Sequence, residues 1–269
     1  MSPAIAMLAG AGAAAVVQSS SLCVAGIVAA ADGGGLGLGP AWAAVAGANV
    51  GGTLLPHITA WSPPGPALAI CAVAGGVACL HPRLRGLGVL LLAAALLASG
   101  FALVSGAAGG GLGVASGLLR VAAVPTAAFL AGAASTAVAF SSGFTIAVAQ
   151  GLAAAGGLPL TAGIAFVCGA NIGTTSDVLF ASLAAGRRGR ITAGFHLGFK
   201  VLCAAVGLAL AHPLADVLRR GSLTPARAMA QVHTGLNLGM ALVLFPWLAH
   251  LAGKVELAVF SGGESGIRR

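Results

Sequence analysis

The stretch Gln18-Ser19-Ser20-Ser21, followed by Gly47-Ala48-Asn49-Val50-Gly51-Gly52-Thr53, decides how this chain is read, because both pieces occur twice. Ser19-Ser20 returns as Ser141-Ser142. Asn49 returns as Asn171 within Gly169-Ala170-Asn171-Ile172-Gly173-Thr174-Thr175, at the same offset (141 − 19 = 171 − 49 = 122). Between 14–53 and 136–175 this offset gives 17 identical residues in 40 without a gap, against about five for chance in a composition so rich in Ala and Gly. The chain is two copies of one unit, with polar residues at corresponding places in both.

The surroundings of these polar stretches are apolar. Of 269 residues, 7% are charged and 58% hydrophobic, and the mean hydropathy is +1.03. A soluble domain carries about 25% charged residues, so the chain belongs in a membrane. Its apolar runs are built from Ala, Gly and Leu without period-2 alternation, and helices are the economical way to satisfy such a backbone in lipid. The fold expected is an all-α integral membrane protein with two inverted-topology repeats. Each would hold a re-entrant helical hairpin and a broken transmembrane helix, with additional spanning helices. No Lys or Arg precedes Arg83, so nothing reads as a cleaved signal peptide. The net charge of +8 comes from thirteen Lys and Arg in short clusters between apolar runs, which is a topology signal and not a nucleic-acid surface. Cys23, Cys71, Cys79, Cys168 and Cys203 lie in apolar segments without CxxC spacing and read as small packing residues.

The first unit (1–107) is expected to hold a hairpin over 3–31 with its polar tip at membrane depth, a span over 41–61 interrupted by the Gly/Asn/Thr stretch at 47–53, and helices over 67–80 and 87–107. Trp61-Ser62-Pro63-Pro64-Gly65-Pro66 reads as a turn. A Gly-rich connector (108–118) leads to the second unit (119–250). That unit has a hairpin over 121–155, a broken span over 160–184, helices over 191–211 and 226–250, and then a short tail (251–269). Three single crossings between equivalent starts make the repeats inverted. The same count puts Arg83, Arg85, Arg187, Arg188, Arg190, Lys254, Arg268 and Arg269 on one side and Arg120, Arg219, Arg220 and Arg227 on the other. The richer side is then cytoplasmic, with both termini, in a multi-pass protein of the cell membrane.

Helices broken at membrane depth expose N–H groups at N-termini and C=O groups at C-termini, so one site can take an anion and cations together. The hydroxyls of Ser19, Ser20, Ser21, Ser141, Ser142, Thr53, Thr174 and Thr175, with Asn49 and Asn171, supply neutral donors and oxygen ligands around it. The bland alternative is that small and hydroxyl residues only glue helices together. That reading does not account for paired motifs. An intramembrane serine hydrolase, with Ser142 and His196 or His233 as a dyad, leaves Asn49 and Asn171 unexplained. A degenerate, non-transporting membrane protein is the third reading.

QSSS followed by GANxGxT, twice, with His233-x-x-x-Asn237 in the last helix, resembles the type II sodium/phosphate cotransporters, particularly the bacterial members, over about residues 10–250. The resemblance implies a non-enzymatic symporter that moves inorganic phosphate with sodium as coupling ion and needs no other cofactor. The matching positions are Gln18, Ser19, Ser20, Ser21, Asn49, Thr53, Ser141, Ser142, Asn171, Thr174 and Thr175, with His233 and Asn237 in support. Sodium is the one metal implied, at the same motifs, and the partners are phosphate, sodium and the lipid bilayer. A homo-oligomer is left open. A proton-coupled or sodium-independent carrier of another small oxyanion is the nearest alternative, since no Arg in the motifs imposes bidentate selectivity.

This chain departs from the pattern. Phe140 and Gly143 stand where the second QSSS would have Gln and its third Ser, and Gly52 replaces the first Thr of GTT. The start is expected to be short, lacking the family's helix before the first hairpin, and no regulatory domain is expected after Arg269. Asp177 and Lys200 introduce charges where the pattern has none, with Lys200 four residues after His196. Intramembrane charges pair or serve function. The expectation is that Lys200 places an ammonium where a sodium ion would sit, with Asp177 as its partner. His57, His196 and His233 read mainly as polar packing residues.

Overall fold

The structure, a computed structural model, describes residues 1–61, 65–109, 123–154 and 156–260. The expected connector 108–118 (apart from 108 and 109), Arg120, residues 62–64 of the predicted turn, and Arg268 and Arg269 lie outside the described residues. Thirteen helices are described: α1 Pro3–Val17, α2 Ser20–Asp32, α3 Leu38–Gly51, α4 Leu54–Ala60, α5 Gly65–Cys79, α6 Arg85–Gly109, α7 Pro125–Ala139, α8 Ser142–Ala154, α9 Leu160–Gly173, α10 Thr175–Leu183, α11 Arg187–Ala209, α12 Ala211–Arg220 and α13 Pro225–Phe260.

The repeat is carried into the backbone residue for residue. Adding 122 to the bounds of α1, α2 and α3 gives 125–139, 142–154 and 160–173, which are the bounds of α7, α8 and α9. Both α1 and α7 open on a proline in the first turn, where the missing N–H costs nothing. Both end on a non-glycine residue in the left-handed region, Gln18 (φ 56°) and Phe140 (φ 52°). That conformation is costly for an L-residue, yet it turns the chain so that a serine can cap the next helix. Ser19 Oγ accepts from Leu22 N–H at 3.2 Å, and Ser141 Oγ accepts from Phe144 N–H at 3.2 Å. The arms have 13 to 15 residues, about 20–22 Å of helix, too short to cross a core of about 30 Å.

The motif glycines correct one expectation. The interruption expected over 47–53 narrows to Gly52 and Thr53: α3 stays helical through Gly51, α4 begins at Leu54, and the two residues between keep near-helical dihedrals. In the second unit the irregularity shrinks to Thr174, so Leu160–Leu183 reads as one apolar stretch of 24 residues. These glycines serve packing. A Cβ on Gly47 would overlap the Met7 carbonyl, and one on Gly169 would overlap the Phe129 carbonyl, again 122 residues on. Small residues let α1 lie against α3 and α7 against α9 at backbone contact.

Among the described residues, three helical stretches are long and apolar enough to cross a membrane: Leu160–Leu183, Arg187–Ala209 and Pro225–Phe260. Side chains such as Leu8 and Val16, with their repeat counterparts Leu130 and Val138, stand 64–83% exposed on the outer face, as a lipid-facing surface requires. Other boundaries also move. The helix expected over 226–250 continues to Phe260 with Pro246 inside it, so the first ten residues of the expected tail are helical. The helix expected over 191–211 is α11, followed by a separate amphipathic α12. Helices α5 and α6 pair with each other, and α11 packs on α2, α3, α9, α10 and α13. The core holds α11 against both units through Phe199, Cys203 and Ala204 on one side and Ala193 on the other.

Candidate functional site

The serine caps place both hairpin tips at one point. Gln18, Ser19, Ser20 and Ser21 of the first tip and Phe140, Ser141, Ser142 and Gly143 of the second enclose, with Gly52 and Thr174 at the two helix irregularities, a cavity of about 10 Å³. That is room for about one water. Ser21 Oγ donates to the Thr174 carbonyl at 3.3 Å, tying the first tip to the second unit. Helices α2 and α8 both begin at this cavity, so their free N–H groups and positive dipole ends face it.

Thr53 and Thr175 do not line the cavity. Each turns its hydroxyl back to the chain, Thr53 Oγ1 donating to Val50 O and Thr175 Oγ1 to Ile172 O, both at 2.7 Å. Thr174 Oγ1 likewise donates to Asn171 O at 2.7 Å. Asn49 and Asn171 are buried inside α3 and α9, one turn before the irregularities. Their partners come from α11: His196 Nε2 meets Asn49 Oδ1 at 3.2 Å, and Lys200 Nζ donates to Asn171 Oδ1 at 3.0 Å. Asn237 on α13 completes the second group, its Oδ1 accepting from Lys200 Nζ at 3.0 Å and its Nδ2 donating to Asn171 Oδ1 at 3.3 Å and to His233 O at 2.8 Å. The Nδ2 groups of Asn49 and Asn171 and the Nδ1 atoms of His196 and His233 are buried without a hydrogen-bond partner. Neither histidine is bonded to Ser142, so the serine dyad is not assembled in this structure.

The structure also corrects the expected charge pair. Asp177 and Lys200 do not meet: among the described residues the ion pairs are Arg188–Glu256 and Arg219–Asp216. The Asp177 carboxylate accepts from Val178 N–H at 2.8 Å and faces Ser21. It sits on the first turn of α10, which aims it at the first tip, whereas Lys200 rises from α11 toward the amides of α9 and α13.

Three features were not anticipated from the sequence. A one-way chain of donors runs from His57 Nε2 to Thr234 Oγ1 (2.7 Å), on to Thr53 Oγ1 (2.9 Å) and then to Val50 O (2.7 Å). It starts in an open recess of about 330 Å³ that Trp61, Arg227 and Gln231 also line. Gln150, fully buried, donates to Pro56 O at 3.0 Å and Ala226 O at 2.8 Å and accepts from Thr59 Oγ1 at 2.7 Å, binding α4, α8 and α13 together. A lone Gln in an apolar arm, where the repeat partner is Val28, was the available signal. Asp32, at the end of α2, accepts from Gly186 N–H (2.8 Å) and Gly189 N–H (3.1 Å) and so caps α11. The Gly186 and then the Gly189 hydrogen bond hold its carboxyl below the ordinary carboxylate range.

Apolar spans, duplicated hairpins and an enclosed polar cavity together define an all-helical integral membrane protein with an internal site. Comparison with family models is specific: the Na+/Pi-cotransporter model matches residues 1–106 and 110–244. The chain belongs to that family, a family of transporters that links sodium and phosphate. No curated protein and no solved structure matches the chain significantly.

Proposed function

We propose that the chain is a secondary active transporter that carries inorganic phosphate inward across the cytoplasmic membrane in symport with sodium, its two halves being inverted repeats with re-entrant hairpins and both termini cytoplasmic. The observation that carries this reading is the single cavity shared by the two tips, Gly52 and Thr174. Two helix N-termini and the hydroxyls of Ser19, Ser20, Ser141 and Ser142 offer an oxyanion neutral donors and positive dipole ends. The Gln18 side chain, its Oε1 unpaired, and the carbonyl at Thr174 offer oxygen ligands to sodium. A site without a fixed cation in its wall holds phosphate weakly enough to release it. The recess at Arg227 and His57, on the side opposite the richer arginine cluster, is where the anion first meets positive charge.

Radiolabelled phosphate uptake into proteoliposomes, under an inward sodium gradient, a proton gradient or neither, tests this. Sodium-driven uptake that is lost in Gln18→Ala/Asn171→Ala is the expected result. Uptake indifferent to sodium would overturn the coupling, and its absence under every gradient would overturn phosphate as the substrate.

A further inference from the structure

Lys200 is 1% exposed, and its ammonium ends between two side-chain amides, Asn171 Oδ1 and Asn237 Oδ1, both at 3.0 Å. No carboxylate of the described residues pairs with it. A buried ammonium without a counter-ion is strongly unfavourable, so its retention calls for a reason beyond packing. Its surroundings supply one: neutral oxygens converging on a single positive charge are the donor set that a hard monovalent cation selects. The position is wired to the tip cavity, since Asn171 O accepts from Thr174 Oγ1 and Thr174 lines the cavity wall. Helix α11 also treats the two repeat asparagines unequally. It gives Asn49 an imidazole from His196 and, one turn later on the same face, gives Asn171 an ammonium from Lys200.

We propose that Lys200 is a tethered cation that fills a sodium-type position between Asn171 and Asn237, so that this chain binds one sodium fewer than its two repeated motifs would otherwise hold. The ammonium supplies the positive charge at that position in every cycle without being carried across. The proposal rests on the transporter reading, and it concerns how many sodium ions accompany the anion.

A test independent of transport comes first. The thermal midpoint of the purified protein is measured in increasing NaCl against choline chloride, for wild type, Lys200→Asn, Lys200→Gln and Lys200→Met. The amide variants remove the ammonium and offer an oxygen, and at a tenfold excess of sodium over Kd they should gain about 4 °C of saturable, sodium-specific stabilisation beyond wild type. Lys200→Met, which offers no oxygen, should gain less. Equal sodium responses in all four proteins would overturn the proposal. In proteoliposomes the Hill slope for sodium activation of phosphate uptake should rise by about one from wild type to Lys200→Asn, and an unchanged slope would overturn it equally. Failure of wild type to take up phosphate would remove the transporter reading alone, because the sodium titration would still decide what Lys200 occupies.

Discussion

Gly52 lines the tip cavity, and a side chain there would press on Ser20 of the first tip. A Cβ built there falls 2.7 Å from Ser20 Cβ, 3.0 Å from Ser20 Oγ and 3.2 Å from Ser20 N. Ser20 is the first residue of α2, so its Cβ and N cannot rotate aside; the whole tip must retreat. With a cavity of about 10 Å³ there is no slack to absorb the methyl. Overpacking of this kind costs about 1–3 kcal/mol. If the cost falls on the form that holds the anion, the half-saturating phosphate concentration rises about five- to 150-fold. The assay is concentration-dependent phosphate uptake in proteoliposomes by Gly52→Ala, with Gly12→Ala as a control because a Cβ there meets nothing within 4 Å. Gly52→Thr, which copies Thr174 of the other unit, should be worse. A folded Gly52→Ala protein with half-saturation within about twofold of wild type would refute the reasoning, because the tips would then have to open away from Gly52 to bind.

Gln150→Leu removes three buried hydrogen bonds that join α4, α8 and α13. Such bonds average about 0.6 kcal/mol each inside membrane proteins, so a loss of about 2 kcal/mol is expected, read as a lower midpoint of heat-induced loss of the monodisperse peak in detergent. Pairing it with Thr59→Val should give less than the sum of the two single effects, since both break the same contact. Asp32→Asn weakens the cap on α11, and its effect should depend on pH. The folded carboxyl lies below its ordinary value of 3.8, so its contribution is complete above that value and is lost as pH falls through the lower folded value. The stability gap between wild type and Asp32→Asn should therefore be full at pH 7 and should narrow below about pH 4, as thermal midpoints at the two pH values would show.

The repeat makes much of this molecule legible. Because the offset is gapless, the tips at 18–21 and 140–143 follow from the residues alone, and the left-handed Gln18 and Phe140 occupy corresponding positions. Reading Gly47 and Gly51 as helix breakers fails for a physical reason. In a membrane, glycine's low helix propensity matters less than the close approach it allows, and one sequence cannot show that Met7 and Ala11 carbonyls lie where those Cβ atoms would be. The partner of Lys200 is illegible for a related reason. Opposite charges 23 positions apart (200 − 177) invite pairing, but helix phase turns Asp177 to the first tip and Lys200 to the amides. Gln150, Asp32 and the His57 chain carry no signal of their partners in the sequence, because each joins segments that are distant along the chain and unrelated by the repeat.

Departures from the repeat bear on how the site works. The 122-residue offset builds a shared scaffold of short arms, serine caps and close glycine contacts, and carries the paired polar residues Ser19/Ser141, Ser20/Ser142 and Asn49/Asn171. A few departures from it fall at the tips, in the second arm and beside the paired asparagines. Phe140 and Gly143 thin the polar groups of the second tip, Gln150 locks α8 to α4 and α13, and Lys200 fixes a charge beside Asn171 but not beside Asn49. A carrier that moves one half against the other needs one half held and one half free. The ties on the two equivalent arms differ in place: Gln150 binds the middle of α8 to α4 and α13, whereas α2 is held at its far end by Asp32 on α11 and near its tip by the 3.3 Å bond from Ser21 to Thr174. Motion should therefore begin at the first tip. Hydrogen exchange in the first two turns of α2 should outpace that in the first two turns of α8, and equal protection there would show that the asymmetry in side chains does not reach the dynamics.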